Sequence, residues 1–261
     1  MATVAGKVFT ITGGASGMGA ATARLLAERG ARAIAVADVS SKGFPDLKHS
    51  IAKINPSTEL QFTELNVTNP AAVNQWVEDV VAKFGDIHGS ANIAGIPQAL
   101  GVRQAPAILE ESNEAWNRVM DVNLNGVFYC TKAEVKAMKD LAPGKRSVVN
   151  VASIAARQHI GDVYAYNVSK VACSHFSASV AKDTKPFGIR VNAVLPGATT
   201  TPMLKKFITH TKTEEEFEKA WKDWGLDLIS AEDVARSIVW LLSEDSHPVY
   251  GAEINVGTGL P

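Results

Sequence analysis

Short runs of β-branched and small apolar residues recur along the chain with helical patterns between them, and this alternation restricts the possible folds more than any other feature. The runs fall near Val8–Thr12, Ala33–Asp38, Gln61–Asn66, Ile87–Asn92, Ser147–Val151, Arg190–Leu195 and Glu253–Val256. Between most of them, helices are expected over Gly17–Arg29, Gly43–Ile54, Pro70–Phe84, Asn113–Leu141, Val163–Pro186 and Ala231–Ser243. Several have Ser, Asn or Asp near their starts, where a side-chain oxygen can accept from unpaired first-turn N–H groups. Strands separated by helices pair in parallel. Runs such as Val148-Val149-Asn150-Val151 are apolar on both faces, so helices must cover both sides of the sheet. The expected fold is α/β, a doubly wound parallel sheet of about seven strands. At 261 residues the chain suits one such domain. The alternation lapses at Pro202–Leu228, where the charged run Glu214-Glu215-Glu216-Phe217-Glu218-Lys219 is interleaved with Phe207, Trp221 and Trp224. That stretch reads as a helical insertion over the sheet's edge, at about 202–228, and Glu214–Glu216 as its solvated face.

Acidic and basic residues nearly cancel, 27 against 26, so no net field steers the chain to nucleic acid or anionic lipid. Cys130 and Cys173 are too few for a disulfide framework and fall within expected helices, which fits a reducing, cytoplasmic setting. The N-terminus leads into a strand without an apolar signal region, and no run approaches the roughly 20 apolar residues of a membrane span. The six histidines, His49, His88, His159, His175, His210 and His247, have no ligand-spaced companions, so no metal site is expected. His159 reads as structural or solvated, and Trp221 and Trp224 as packing of the insertion.

After the first strand comes Thr12-Gly13-Gly14-Ala15-Ser16-Gly17-Met18-Gly19, and then a helix. Glycine lets backbone approach a pyrophosphate closely, and the helix N-terminus offers unpaired N–H groups with a partial positive charge. Asp38 ends the second strand, 19 residues after Gly19, near the interval at which a carboxylate meets the adenosine ribose. The same carboxylate repels a 2′-phosphate, and Ala15, Ser16, Val39 and Ser40 carry no compensating cation. The cofactor read from these residues is NAD, on a Rossmann-type fold.

Tyr166 and Lys170 lie four apart on an expected helix, so their side chains emerge as neighbours. A phenol is a poor base near neutral pH, but an adjacent ammonium favours the phenolate, which can then take a proton from a hydroxyl. Tyr164 is a rival, yet Val168 stands where its lysine would be. Ser153 follows the fifth run, at a strand end where open α/β sheets bind ligands, so its hydroxyl is placed to hold the same substrate oxygen.

Taken together, Thr-Gly-x-x-x-Gly-x-Gly at Thr12–Gly19, Asn92-Ile93-Ala94-Gly95, Asn123, Ser153, Tyr-x-x-x-Lys at Tyr166–Lys170 and Pro196-Gly197 resemble the single-domain short-chain dehydrogenases/reductases over essentially the whole chain. The resemblance implies that Tyr166 is the general acid/base, that Lys170 assists it while binding the nicotinamide ribose, that Ser153 orients the substrate oxygen, and that Asn123 supports a proton-relay water. It also implies cofactor contacts at Gly13, Ser16, Gly17, Met18, Gly19, Asp38, Asn66, Val67, Asn92, Ala94, Gly95, Pro196, Gly197, Thr199 and Thr201, the last near the carboxamide. Two positions depart from the family's pattern. Ile93 stands where a second Asn is common, and Asn66 where an Asp usually meets the adenine amino group, although an amide oxygen can still accept that bond.

The substrate wall is expected from Ile96-Pro97-Gln98, from the loop Ile154–Val163 and from Met203 onward. These stretches are mostly apolar, which favours a bulky, fairly hydrophobic alcohol. Ser50–Thr58, Val149–Ala155, Asp162–Tyr166, Glu232–Arg236 and Trp240–Ser246 further resemble the fungal chanoclavine dehydrogenase subfamily of ergot alkaloid biosynthesis, which implies NAD-dependent oxidation of an allylic primary alcohol to an aldehyde. Two alternatives stand beside it. One is an NAD(P)-dependent carbonyl reductase or dehydrogenase for another fungal metabolite. The other is a non-catalytic dinucleotide-binding protein, against which the intact Asn123, Ser153, Tyr166 and Lys170 set argues. Family likeness implies a homotetramer packed through the helices at Asn113–Leu141 and Val163–Pro186.

Overall fold

The computed structural model describes residues 3–98, 104–158, 161–204, 216, 219 and 227–257. Seven strands, β1 (Val8–Thr12), β2 (Ala33–Asp38), β3 (Glu59–Glu64), β4 (Gly89–Asn92), β5 (Arg146–Val151), β6 (Ile189–Pro196) and β7 (Glu253–Val256), form one sheet in the order β3-β2-β1-β4-β5-β6-β7. Every pairing is parallel. The helices are α1 (Gly17–Glu28), α2 (Phe44–Ile54), α3 (Pro70–Phe84), α4 (Asn113–Met120), α5 (Gly126–Asp140), α6 (Tyr164–Thr184) and α7 (Ala231–Leu242).

The side-chain period of two along each strand divides the core into two layers. Phe9, Ile11, Ile34 and Val36 pack with Leu26 of α1 and Val234 and Ile238 of α7 on one face. Val8, Ala33 and Ala35 pack with Trp76 and Val80 of α3 and Met138 of α5 on the other. Each large apolar side chain fully buried in these layers contributes roughly 1.5–3 kcal/mol. Both cysteines lie buried in helices.

Most boundaries fall within two residues of the sequence reading, and three differences bear on the site. β3 starts at Glu59 and stops at Glu64 because it pairs residue for residue with β2, from Ala33↔Glu59 to Asp38↔Glu64, which leaves Asn66 and Val67 in the following loop. β4 starts at Gly89, not Ile87; a Cβ on Gly89 would stand 2.9 Å from the Phe9 ring, so the close strand approach needs glycine. The helix expected over Asn113–Leu141 is broken by one π-helical turn, Asp121–Asn125, between α4 and α5. Backbone angles are helical at both ends of it, and the break is a change of hydrogen-bond register, of a kind that clusters at functional sites. The expected insertion at 202–228, with Phe207, Trp221 and Trp224, lies mostly outside the described residues.

β1 has β2 on one side and β4 on the other, so the order of connection reverses there. The crevice at the C-terminal ends of such a pair is where doubly wound sheets hold ligands.

Candidate active site

The turn from β1 into α1 crosses that crevice. Gly13 and Gly17 have φ of 68° and 50°, which side chains other than glycine's rarely adopt. A Cβ on Gly19 would stand 2.2 Å from the Gly13 carbonyl oxygen, and one on Gly13 would stand 2.7 Å from the Ala94 nitrogen. The turn therefore folds onto itself and onto the end of β4 only with glycine at these positions. Gly13, Ser16, Gly17, Met18 and Gly19 line one side of a cleft of about 880 Å³. Ser16 precedes α1 without capping it through its side chain, so first-turn N–H groups can face an anion. A pyrophosphate fits this cradle.

Asp38 also lines the cleft. Its Oδ2 accepts the Ala15 N–H at 3.0 Å and its Oδ1 the Ser40 N–H at 3.1 Å. Each oxygen keeps a lone pair for a ligand hydroxyl, and the carboxylate has the second task of pinning the glycine turn. Asn66 and Val67 lie on the same wall. The Asn66 Oδ1, however, already accepts from the Thr68 N–H at 3.1 Å and the Thr68 hydroxyl at 2.9 Å. Both lone pairs are engaged by this tight turn, and the amide NH₂ is the group Asn66 has left to offer. Across the cleft, the Thr201 methyl stands 3.2 Å from where a Gly17 Cβ would be. Pro196 ends β6 and Gly197 leads on to Thr201, with the Thr199 hydroxyl donating to the Gly197 carbonyl at 2.9 Å.

Ser153 stands two residues beyond β5, and its Oγ accepts the Ala155 N–H at 3.1 Å. From α6, the buried Lys170 ammonium donates to the Val151 carbonyl at 3.0 Å and lies 5.6 Å from the Tyr166 ring centroid. The lysine thus ties its helix to the strand end from which Ser153 emerges. Its Nζ also comes 3.6 Å from where a Gly95 Cβ would be, and Ala94 and Gly95 line the cleft. Tyr166 is buried among Val119, Ala155, Val163 and Ala165, with Ile96 and Trp116 against the cluster. Tyr164 is less buried than Tyr166. Asn123, in the π turn and wholly buried, accepts the Ile96 N–H at 2.8 Å and donates to the Ile96 carbonyl at 3.0 Å. This two-point clamp on the chain after β4 was not legible in the sequence.

The Asn92 side chain turns into the sheet. Strand alternation sends Ser90 and Asn92 toward α5, whereas Ala91 and Ile93 pack into the opposite layer. The buried Asn92 amide donates to Glu134 Oε2 at 2.9 Å and to Asn150 Oδ1 at 3.0 Å, so its side chain serves the sheet rather than the cleft. The chain beyond it is steered to the cleft by Thr12, whose Oγ1 accepts the Ile93 and Ala94 N–H groups at 3.2 and 3.4 Å. Glu134 is wholly buried, and burial pushes its carboxyl up to about 8 although Asn92, Thr10 and Ser90 hydrogen-bond to it. On sequence alone it reads as one more polar residue of an amphipathic helix.

Among the described residues, no group of three or more His, Cys, Asp or Glu side chains is placed to hold a metal ion, and no helix is long and apolar enough to cross a membrane. His159 falls outside the described residues.

The family model described as enoyl-(acyl carrier protein) reductase matches residues 13–261. The chain is 59% identical to the chanoclavine-I dehydrogenase of Penicillium roqueforti and 57% identical to that of Aspergillus fumigatus, covering all of both chains in each case. Among solved structures, an NAD⁺-bound xylitol dehydrogenase superposes with a TM-score of 0.84 at 26% identity, over 98% of this chain and 99% of that one.

Proposed function

The chain belongs to the short-chain dehydrogenase/reductase family and is an alcohol oxidoreductase of it; from that premise we propose that it uses NAD to oxidise chanoclavine-I to the corresponding aldehyde. The observation that carries the chemistry is the Lys170 ammonium, bonded to the end of β5, beside the Tyr166 ring and against the Gly95 wall of the cleft.

A bound nicotinamide dinucleotide supplies the acceptor for the hydride that leaves the alcohol carbon. Tyr166 takes the hydroxyl proton, with the Lys170 ammonium held beside its ring. The Ser153 hydroxyl donates to the substrate oxygen and holds it toward the phenol. Asn123, by gripping Ile96, fixes the wall across from them and so limits the orientations open to the substrate. Gly13, Gly17 and Gly19 leave room for a pyrophosphate, with Lys170 and Thr201 placed for the nicotinamide end.

Asp38 supports NAD over NADP, since its carboxylate faces the cleft and none of Ala15, Ser16, Val39 and Ser40 brings a cation to offset a 2′-phosphate. The relatives' shared name and the apolar Ile96, Trp116, Ala155 and Val163 around Tyr166 support a bulky, largely hydrophobic alcohol. The same reading includes a cytoplasmic homotetramer. Exposed Phe128 on α5 and exposed Val168 and Val171 on α6 support packing of those helices between subunits, and light scattering of a monomer would contradict it.

The test is NADH formation at 340 nm by the purified protein with chanoclavine-I and a panel of steroid, polycyclic and sugar alcohols, under NAD⁺ and NADP⁺ in turn. Chanoclavine-I is expected to be turned over with NAD⁺ preferred at least about tenfold, roughly 1.4 kcal/mol. Turnover of small charged alcohols alone, or preference for NADP⁺, would contradict the assignment.

A further inference from the structure

The helix that carries Tyr166 starts without a cap of its own. Val163, at the capping position, has no side-chain acceptor, yet the first N–H groups of a helix have no partners within it. Tyr166 is the third residue of α6, and its N–H is one of these. Gln98, 68 positions earlier, supplies the acceptor: its Oε1 takes the Tyr166 N–H at 3.0 Å. The other end of the same amide, Nε2, donates to Glu111 Oε2 at 2.6 Å. Gln98 is 3% exposed, so these bonds form away from water, where an unmatched amide is costly. The orientation of the amide is set by its partners. An N–H needs the oxygen and a carboxylate needs the nitrogen, and the bond to Glu111 is strengthened by charge.

Gln98 ends a segment whose other end, Ile96, is gripped on both its N–H and its carbonyl by Asn123. Residues 96–98 therefore bridge the π turn to the first turn of α6, and Ile96 and Pro97 line the cleft on the way.

We propose that Gln98, with its amide turned by Glu111, is a positioning residue for proton transfer, holding the backbone of Tyr166 so that the phenol stands in register with Lys170 and Ser153. The proposal rests on the dehydrogenase reading above. Loss of a buried long-range bond to a first helical turn lets that turn shift, and a displacement of about 1 Å at a reacting group costs on the order of 100-fold in rate.

Gln98→Met keeps the bulk and removes both hydrogen bonds. With chanoclavine-I and NAD⁺, kcat is expected to fall roughly 10- to 100-fold, while KM for NAD⁺ and NAD⁺ binding by fluorescence stay within about twofold of wild type. Amide hydrogen exchange of Tyr166 is expected to quicken, with the C-terminal half of α6 unchanged. Wild-type kcat, or a loss of NAD⁺ binding matching the loss of kcat, would overturn the proposal. If Gln98→Met does not fold, Glu111→Ala against Glu111→Gln makes the comparison. The alanine variant should lower kcat and expose the Tyr166 amide, and the glutamine variant, which can still accept from Gln98, should restore most of both; equal behaviour of the two would overturn it. If the wild type oxidises no alcohol offered, the dehydrogenase reading fails, and the exchange data separately decide whether Gln98 holds this turn.

Discussion

A lysine four residues after a tyrosine is common on helix surfaces, and what distinguishes Lys170 is its burial and its bond to the last carbonyl of β5. The ammonium is thereby fixed in place, so its charge acts on the phenol in one geometry. The pairs legible in the sequence were those within one turn or one motif: Tyr166 with Lys170, and the glycine turn with Asp38. The bonds that were not legible join Asn123 to Ile96, Asn92 to Glu134 and Gln98 to Tyr166, over 27, 42 and 68 positions. Only the fold brings such residues together, and their types alone do not reveal it. Asp38 gives a prediction at this scale. Asp38→Ala removes the charge that repels a 2′-phosphate, so the preference for NAD⁺ over NADP⁺ should fall at least about tenfold. Affinity for NAD⁺ should fall as well, because Ala15 loses its acceptor. Steady-state KM values for both cofactors check this, and an unchanged ratio would rule out Asp38 as the discriminating group.

The elements were legible where period and punctuation agreed. Strands β1, β2 and β7 run as read, and α3 starts at its cap, where Asn69 Oδ1 accepts from Ala71 and Ala72. The break between α4 and α5 has no signal of this kind, since one π turn leaves helical angles and apolar spacing nearly intact. At the end of it, Gly126 passes Val67 so closely that a Cβ would stand 2.7 Å from the valine Cγ2. Two predictions belong to elements. Gly19→Ala forces Cβ onto the Gly13 carbonyl, so NAD⁺ affinity by titration should drop by more than about tenfold; wild-type affinity would mean that the turn does not cradle the cofactor. Ser230→Ala removes the capping box of α7, in which Ser230 Oγ accepts the Asp233 N–H, and urea unfolding should show a loss of about 1 kcal/mol.

For the whole molecule, the alternation of strands and helices announced a doubly wound sheet, but the strand order and the polar cluster inside it became visible only in three dimensions. Glu134 joins β1, β4 and α5 through Thr10, Ser90 and Asn92. Its carboxyl is pushed from an ordinary 4.5 up to about 8 by burial, so the folded state favours the protonated form. The stability this provides is full below about pH 4.5 and is lost as the pH rises through 8, by several kcal/mol in all. Glu134→Gln, neutral throughout, should flatten the pH dependence of the urea midpoint between pH 5 and 9 relative to wild type, whereas parallel curves would show that Glu134 is already ionised in the folded protein. The chemistry of the assembled enzyme is tested most directly by NADH formation from chanoclavine-I in wild type and Tyr166→Phe, with NAD⁺ binding measured on both. Loss of the phenol hydroxyl should cost at least about 100-fold in kcat with NAD⁺ affinity within twofold, whereas equal turnover by the two proteins would contradict proton transfer through Tyr166.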